Sequence, residues 1–229
     1  MSVAEARAGA KAVAPMLVGV IPFGLVAGAT SVSDHFGVGA AIGMSTIVFA
    51  GASQLAAFQA LAGGGSALVA AIAAWTINLR MLLYSASLAP HLAHERTSRR
   101  LLAAYLLTDQ AYALSILRWE TDDTDPRGRL SYYLGAGWML WISWQLSTIA
   151  GALGGSVIPD DVPLDFAVPL VFLVLLVPAI VSRPAAVAAA AGGGAAVVAG
   201  EIGAGALSIL AGAVVGIAAG ALAETRWPQ

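Results

Sequence analysis

The sequence contains no cysteine and very little charge. Without cysteine the chain can form neither a disulfide framework nor a thiolate metal site, and it has no thiol nucleophile. Only 10% of its residues are charged, against about 25% in an ordinary soluble domain. Because such a chain cannot solvate its own surface, its composition indicates an integral membrane protein.

Catalytic and nucleotide-binding motifs are also missing. The sequence has no Walker loop, no zinc-binding pair of histidines, no nucleophile elbow and no dinucleotide fingerprint. Serine and histidine do not occur at a catalytic spacing. We therefore expect no enzyme, no metal, no cofactor and no nucleic-acid partner, and an intramembrane hydrolase is the least favoured alternative.

Long apolar runs fill most of the chain. Hydrophobic residues make up 59% of its 229 residues, and because a spanning helix needs about 20 residues, there is room for roughly seven to nine spans. The first run has no convincing cleavage site after it and is interpreted as a retained span. We predict an all-α, polytopic membrane helix bundle that forms a single domain over residues 1–229. Its eight predicted spans are 12–31, 38–61, 66–90, 101–118, 130–157, 166–182, 185–200 and 203–223.

The distribution of Lys and Arg favours a cytoplasmic N-terminus. In that orientation seven cationic residues are cytoplasmic and three, Arg96, Arg99 and Arg100, are not. The loop 91–100 is nevertheless the most basic in the sequence, and the eight-span topology places it outside. One re-entrant segment among the first three would move that loop inside but invert every later loop, dividing the charges five to five. The eight-span topology is therefore preferred.

The first predicted span contains two prolines. Pro15 and the group Pro22, Phe23 and Gly24 interrupt it, and a proline inside a helix removes a backbone hydrogen bond. We predict a Pro-broken first helix whose second half begins near Gly24 and directs its N–H groups at an anion, as in transporters that bind carboxylates. A simple kink is the alternative.

The second predicted span carries small and polar residues near its middle. Phe49, Gly51, Ser53 and Gln54 lie there. Gly51 is also consistent with close helix packing, and Gln54 with a hydrogen bond between helices. A primary amide in hydrocarbon must have a hydrogen-bonding partner, so Gln54 is also a candidate for a solute site.

The third and fourth predicted spans carry opposite charges. Arg80 stands near the middle of the third span and Asp109 about halfway along the fourth. A guanidinium group stays charged in a protein, and an intramembrane charge requires a partner. Tyr84 lies one helical turn after Arg80, and Asn78 lies on a neighbouring stripe. The two charges form either part of a transport site or a permanent structural ion pair.

Several motifs occur in a family-specific order. They are Pro22-Phe23-Gly24, Met44-Ser45, Phe49-Ala50-Gly51-Ala52-Ser53-Gln54, Asn78-Leu79-Arg80, the run 83–91, Thr108-Asp109, and Leu164-Asp165-Phe166 with Pro169. Over nearly its whole length the chain resembles the azaleucine-resistance (AzlC-type) branched-chain amino acid permease family. The resemblance implies export of branched-chain amino acids, and of methionine in some members, by the large subunit of a two-component system. The implied second subunit is a small membrane protein of the AzlD type. Such proteins often carry Asp-Glu in the fourth span, where this chain has Asp109-Gln110.

The residues and the resemblance together predict a secondary transporter in a bacterial or archaeal cytoplasmic membrane. It would export valine, leucine and isoleucine, with methionine as a further candidate, by proton-coupled alternating access. We expect Arg80 and the first helix to hold the substrate carboxylate, Asp109 with Gln54 or Asn78 to hold its ammonium group, and Asp109 to carry the proton. The predicted substrate-binding residues are Pro22, Phe23, Gly24, Phe49, Gly51, Ser53, Gln54, Asn78, Arg80 and Tyr84. A passive channel for a small neutral or anionic solute and a membrane scaffold are the alternatives.

Overall fold

The computed structural model describes residues 2–121, 126–155, 180, 182–204 and 207–227, and every regular element in them is helical. The helices are α1 Val3–Val13, α2 Leu17–Ser33, α3 Gly37–Ile47, α4 Gly51–Ala62, α5 Ala67–Asn78, α6 Arg80–Leu88, α7 Thr97–Tyr105, α8 Asp109–Thr121, α9 Pro126–Gly155, α10 Arg183–Glu201 and α11 Leu207–Arg226. Short 3₁₀ turns follow α1 at Ala14–Met16 and α6 at Ala89–Leu92. The predicted all-α membrane bundle is confirmed.

Among the residues that the structure describes, three helical segments are long and apolar enough to cross a membrane by length and composition, namely Val3–Ser33, Ala67–Leu92 and Arg183–Glu201. The 30-residue helix α9 runs parallel to the first of them. Gly9 packs on the backbone of Tyr132 near one end, and Gly28 packs on the backbone of Thr148 near the other. Small residues let two backbones approach closely, so α1–α2 and α9 form the packed centre of the bundle.

The predicted second span is not a single helix. Helices α3 and α4 contain 11 and 12 residues and are therefore about 17 and 18 Å long, too short for a hydrocarbon core of about 30 Å. Between them Phe49 adopts a left-handed conformation with φ of 46°. Phe36, just before α3, stacks on Phe58 of α4 with ring centroids 4.9 Å apart. The chain therefore enters from one face, turns at Phe49 and returns to the same face.

The predicted fourth span is a second re-entrant hairpin. Helix α7 has 9 residues and α8 has 13, and the chain reverses between Tyr105 and Asp109. At the far end of α8, Arg118 contacts Glu5 of α1 at 3.3 Å, and the Trp119 ring lies 5.1 Å from that of His91. Because α7 begins shortly after His91, both ends of this hairpin lie at the same end of the bundle.

The predictions of single spans at 38–61 and 101–118 are therefore wrong. Each run is apolar throughout, so its hydropathy resembles that of a spanning helix. Neither reversal carries the Gly-Pro or Asn-Gly signal of an ordinary turn. The count of eight spans is not confirmed, and the predicted span 166–182 lies almost entirely outside the described residues, as do Leu164, Asp165, Phe166 and Pro169.

The interruption of the first helix lies at Pro15, inside the 3₁₀ turn Ala14–Met16. Pro22 is enclosed in the continuous helix α2, so the predicted half-helix beginning near Gly24 is wrong. A proline removes the N–H that would bond one turn back and crowds the carbonyl there, but here the surrounding helix continues through it. Gly24 instead provides room for the side chain of Ser147 on α9.

Side chains satisfy backbone carbonyls near the ends of both re-entrant arms. Gln145 of α9 donates to the carbonyl of Ser45 at 3.0 Å, and Tyr105 donates to that of Thr46 at 2.7 Å. Tyr133 of α9 donates to the carbonyl of Ala103 in α7 at 2.7 Å. The last carbonyls of a helix have no partner within it, so these bonds let α3 and α7 end inside the bundle.

The first 121 residues form two units, each a longer helical segment followed by a re-entrant hairpin, and the two units cross the bundle in opposite directions. Helices α1–α2 are followed by hairpin α3–α4, and α5–α6 are followed by hairpin α7–α8. Helix α5 runs back along α4, since Ser53 near the start of α4 donates to Asn78 at the end of α5 at 2.7 Å. The hairpins therefore enter from opposite ends of the bundle, an inverted arrangement typical of secondary transporters.

This topology gathers most of the Lys and Arg side chains at one end of the bundle, here called the basic end, which holds the N-terminus and residues 91–100. The turns at the other end, residues 34–36 and 63–66, contain no Lys or Arg. The positive-inside rule therefore supports a cytoplasmic basic end, and the loop 91–100 is no longer an exception. The cationic residues at this end include Arg7, Lys11, Arg96, Arg99, Arg100, Arg118 and Arg129.

The last two helices pack mainly on each other. Gly192 of α10 faces Gly212 and Gly216 of α11 at close range, while large apolar side chains such as Val197 and Ile217 are exposed. The helices contain 19 and 20 residues, about 30 Å each. They match the predicted spans 185–200 and 203–223.

Two single-cysteine variants test the topology in this cysteine-free chain. We expect Ala62→Cys to react with a membrane-impermeant thiol reagent applied to intact cells, and Ser98→Cys to react only after permeabilisation. The eight-span topology requires the opposite result at both positions. Labelling in permeabilised cells controls for the exposure of each thiol.

Candidate functional site

A cavity of about 510 Å³ lies where the tips of the two hairpins meet α2, α6 and α9. Three helices begin at its wall: α4 at Gly51, α6 at Arg80 and α8 at Asp109. The lining residues are Gly19, Val20, Phe23, Phe49, Ala50, Gly51, Ala52, Arg80, Met81, Thr108, Asp109, Gln110, Leu140 and Trp144. Both units and the central helix thus contribute to the cavity wall.

The charged part of the wall is an ion pair. Arg80 Nη2 lies 3.1 Å from Asp109 Oδ2, and the two side chains are 41% and 38% exposed. The Arg80 Nε atom is buried without a hydrogen-bonding partner. Asp109 stands in the first turn of α8, where the helix dipole favours a carboxylate. Because the pair faces the cavity, a ligand could contact both charges.

The start of α4 presents unpaired backbone donors. Ala50 is extended, with φ of −144° and ψ of 95°, and none of the described side chains caps this end of α4. Ala50, Gly51 and Ala52 all line the cavity. The first N–H groups of a helix have no partner within it and carry a partial positive charge. This end of α4 can therefore accept an anion, whereas Thr108 caps α8 by accepting from the Ala111 N–H at 3.2 Å.

The remaining wall is apolar and aromatic. Phe23 of α2 and Trp144 of α9 meet edge to face with ring centroids 5.4 Å apart. Phe49 is 7% exposed and lies in the turn itself. A Cβ atom at Gly51 would lie 2.5 Å from Trp144 Cη2 and 2.8 Å from Phe23 Cε1, so the two rings fit here only against glycine.

Five of the predicted site residues line the cavity: Phe23, Phe49, Gly51, Arg80 and Asp109. The hairpins bring them together from α2, α6 and the two tips. The predicted pairing of Arg80 with Asp109 is present. The apolar pocket predicted around Phe23 and Phe49 also lies here.

The other predicted site residues do not line the cavity. Ser53 and Asn78 bond each other, and Gln54 is 1% exposed with no partner for its Oε1 atom. Tyr84 stacks on Tyr112 with centroids 4.3 Å apart. Pro22 and Gly24 belong to α2, beside the lining residue Phe23.

Sequence reasoning missed Trp144, Thr108 and Gln110 as parts of the wall. The depth of Trp144 in its span was a usable signal, because interfacial tryptophans lie near span ends. Thr108 and Gln110 flank Asp109, but their position at a helix start became visible only once the hairpin was known.

This arrangement defines a polytopic helical membrane protein with a partly polar site between two oppositely directed units. Comparison with known proteins assigns the family: residues 15–158 match the model of the AzlC protein family, and the chain belongs to that family. The family inferred from the sequence motifs is confirmed. The matched region ends just after α9 and contains both hairpins.

Two relatives are membrane proteins. The chain is 28% identical to "Inner membrane protein YgaZ" of Escherichia coli (strain K12) over 72% of its own length and 69% of the relative's. It is 30% identical to an "Uncharacterized membrane protein" of Archaeoglobus fulgidus over 74% of its own length and 73% of the relative's. No solved structure matches the chain.

Substituting Gly51 tests the packing at the tip of the first hairpin. We expect Gly51→Ala to lower the melting temperature, because overpacking costs about 1–3 kcal/mol. Gly43→Ala on α3 is the matched control, since no atom lies within 4 Å of a Cβ there. Thermal unfolding of both purified variants would measure the difference, and equal melting temperatures would contradict the contact with Trp144 and Phe23.

Proposed function

We propose that this protein is a secondary transporter that exports branched-chain amino acids across the cytoplasmic membrane. The observation that carries the proposal is the Arg80–Asp109 ion pair beside the uncapped start of α4 in an aromatic-walled cavity. A branched-chain amino acid offers a carboxylate, an ammonium group and an aliphatic tail. The cavity holds a complement for each of them.

The substrate carboxylate would bind between the Arg80 guanidinium and the N–H groups at Gly51 and Ala52. Both carry positive charge, and the α4 end lacks a side-chain cap. Discontinuous helices bind substrate carboxylates in this way in other transporters. The sequence predicted that backbone N–H groups near Gly24 bind the carboxylate. In this assignment the N–H groups at the start of α4 bind it instead.

The substrate ammonium group would bind the Asp109 carboxylate, and its tail would lie on Phe23, Leu140 and Trp144. The cavity volume of about 510 Å³ falls within the range of roughly 300–1,000 Å³ common for small-molecule sites. The carboxylate of a zwitterion can take the place of Asp109 beside Arg80, and its ammonium group can take the place of Arg80 beside Asp109. Binding would therefore leave neither protein charge without a partner, which favours a zwitterion over a singly charged solute.

Transport would proceed by alternating access, without covalent chemistry. The two units enter from opposite ends and meet at the cavity, so relative motion of their hairpins could open it to either side. Proton coupling would act at Asp109: a proton on its carboxyl group removes the charge that holds Arg80 or the substrate ammonium. With Gln110 beside it, Asp109 is the only acid among the described residues of the cavity wall.

We propose in addition that the protein works with a small membrane subunit of the AzlD type. The support is the resemblance of the sequence motifs to a two-component system and the family match over residues 15–158. Co-expression with a candidate small subunit is therefore part of each transport experiment below.

Efflux of labelled solutes tests the substrate and the coupling together. In proteoliposomes that contain this chain and a candidate small subunit, we expect valine, leucine and isoleucine to move in response to an imposed pH gradient. Methionine is the further candidate, and glutamate and lysine are controls that carry net charge. Flux of all solutes at equal rates, independent of the gradient, would instead indicate a channel.

Neutralising Arg80 tests the site. We expect Arg80→Gln to reduce gradient-driven efflux to background while the protein remains in the membrane, because the substrate carboxylate and Asp109 both lose their charged partner. Arg99→Gln is the control, since Arg99 forms a surface ion pair with Glu95 at 3.0 Å away from the cavity. Wild-type efflux from Arg80→Gln would exclude this site assignment.

A further inference from the structure

A line of polar side chains leads from the cavity to the basic end. Arg80, Tyr84, Ser87 and His91 follow one another at helical spacing along α6 and the 3₁₀ turn after it. Only Arg80 lines the cavity. The other three therefore extend from the site toward the end of the bundle that we place in the cytoplasm.

Contacts with α8 connect the members of this line. Tyr84 interacts with the Asp109 carboxylate and stacks on Tyr112 at 4.3 Å. The Tyr112 hydroxyl donates to Ser87 Oγ at 3.1 Å. One turn further on, His91 Nδ1 lies 3.1 Å from Arg129 Nη1, and because a guanidinium group only donates, the imidazole nitrogen accepts.

We propose that the hydroxyl groups of Tyr84, Tyr112 and Ser87, here called the hydroxyl line, conduct the proton between Asp109 and the cytoplasm. The proposal rests on the proposed proton-coupled export. Hydroxyl groups both donate and accept, so each can receive a proton on a lone pair and release its own to the next group. Water can bridge the longer steps.

The proton balance of one cycle is simple. A proton that reaches Asp109 neutralises its carboxylate and releases Arg80 or the substrate ammonium. After the site reopens to the cytoplasm, Asp109 loses this proton to the hydroxyl line, and one proton leaves from Ser87 to water at the basic end. Asp109 is then ionised and pairs with Arg80 again at the observed 3.1 Å.

The geometry separates this route from the substrate. None of Tyr84, Tyr112, Ser87 and His91 lines the cavity, so the proton would leave between α6 and α8 and not through the solute volume. In the described part of the chain, charged groups lie at both ends of the route: Arg80 and Asp109 at the cavity, and Arg129 beside His91 at the basic end.

Two hydroxyl deletions test the proposal. Tyr112→Phe keeps the ring that stacks on Tyr84 but removes the donor to Ser87, and Ser87→Ala removes the acceptor. Ser85→Ala on the exposed side of α6 is the matched control. Each variant would be reconstituted with the small subunit, and two rates would be measured: efflux driven by a pH gradient, and exchange of labelled for unlabelled valine without a gradient.

We expect both deletions to slow gradient-driven efflux about tenfold. This is less than the roughly 10²–10⁴-fold that a positioned proton-transferring group contributes, because water replaces part of the lost hydroxyl. Exchange should stay at the wild-type rate, and Ser85→Ala should change neither rate. Unchanged driven efflux in both deletions would overturn the proposal. Loss of exchange together with driven efflux would also overturn it, because the hydroxyl line would then belong to the substrate site.

The wild-type protein distinguishes this proposal from the proposed function. Exchange without any response to the pH gradient would overturn the proton route while leaving the amino-acid site intact. Absence of both exchange and driven efflux would overturn the proposed export itself, and the proton route with it.

Discussion

Backbone that leaves the helical conformation inside a membrane must find hydrogen-bonding partners within the protein. Hydrocarbon supplies none, so a chain reversal at that depth survives only where it is buried in protein or lines a cavity. Here both reversals meet these conditions. Gln145, Tyr105 and Tyr133 donate to carbonyls near the ends of α3 and α7, and the turns beyond them border the cavity. Helix α9 supplies two of these donors, and the site depends on its position.

The reversals also decide the chemistry of the cavity. Each hairpin begins its returning helix at the cavity wall, so the positive end of a helix dipole points inward from both units. The N-terminal ends of these two helices differ in charge because they begin with different residues. Helix α4 begins at Gly51 without a side-chain cap, whereas α8 begins with its own carboxylate at Asp109. One tip therefore offers positive charge and the other negative charge, which is the pattern that a zwitterionic ligand requires.

The same fold explains the distribution of surface charge. Two re-entrant hairpins return the chain to the side from which each entered, so the N-terminus, the loop 91–100 and the start of α9 share one end of the bundle. The Arg118–Glu5 and Arg129–His91 contacts connect these segments directly. Counting charges with one re-entrant segment at a time could not find this topology. A single re-entrant segment moves every later loop to the opposite side of the membrane, whereas a second one returns the loops after it to their original side.

The sequence by itself determined the class of the fold and one ion pair of the site. Low charge and long apolar runs require a membrane environment, and the isolated charges Arg80 and Asp109 in hydrocarbon require each other, so the bundle and the ion pair were predictable. Family motifs identified the relatives. Tertiary structure decided where the helices stop, because Phe49 and Leu107 resemble residues of an apolar span, and donors from distant helices stabilise the helix ends beside their turns. Hydropathy measures the free energy of transfer into hydrocarbon, which depends on the composition of a segment and little on the direction in which its chain runs. A re-entrant hairpin and a spanning helix of equal composition therefore have the same hydropathy.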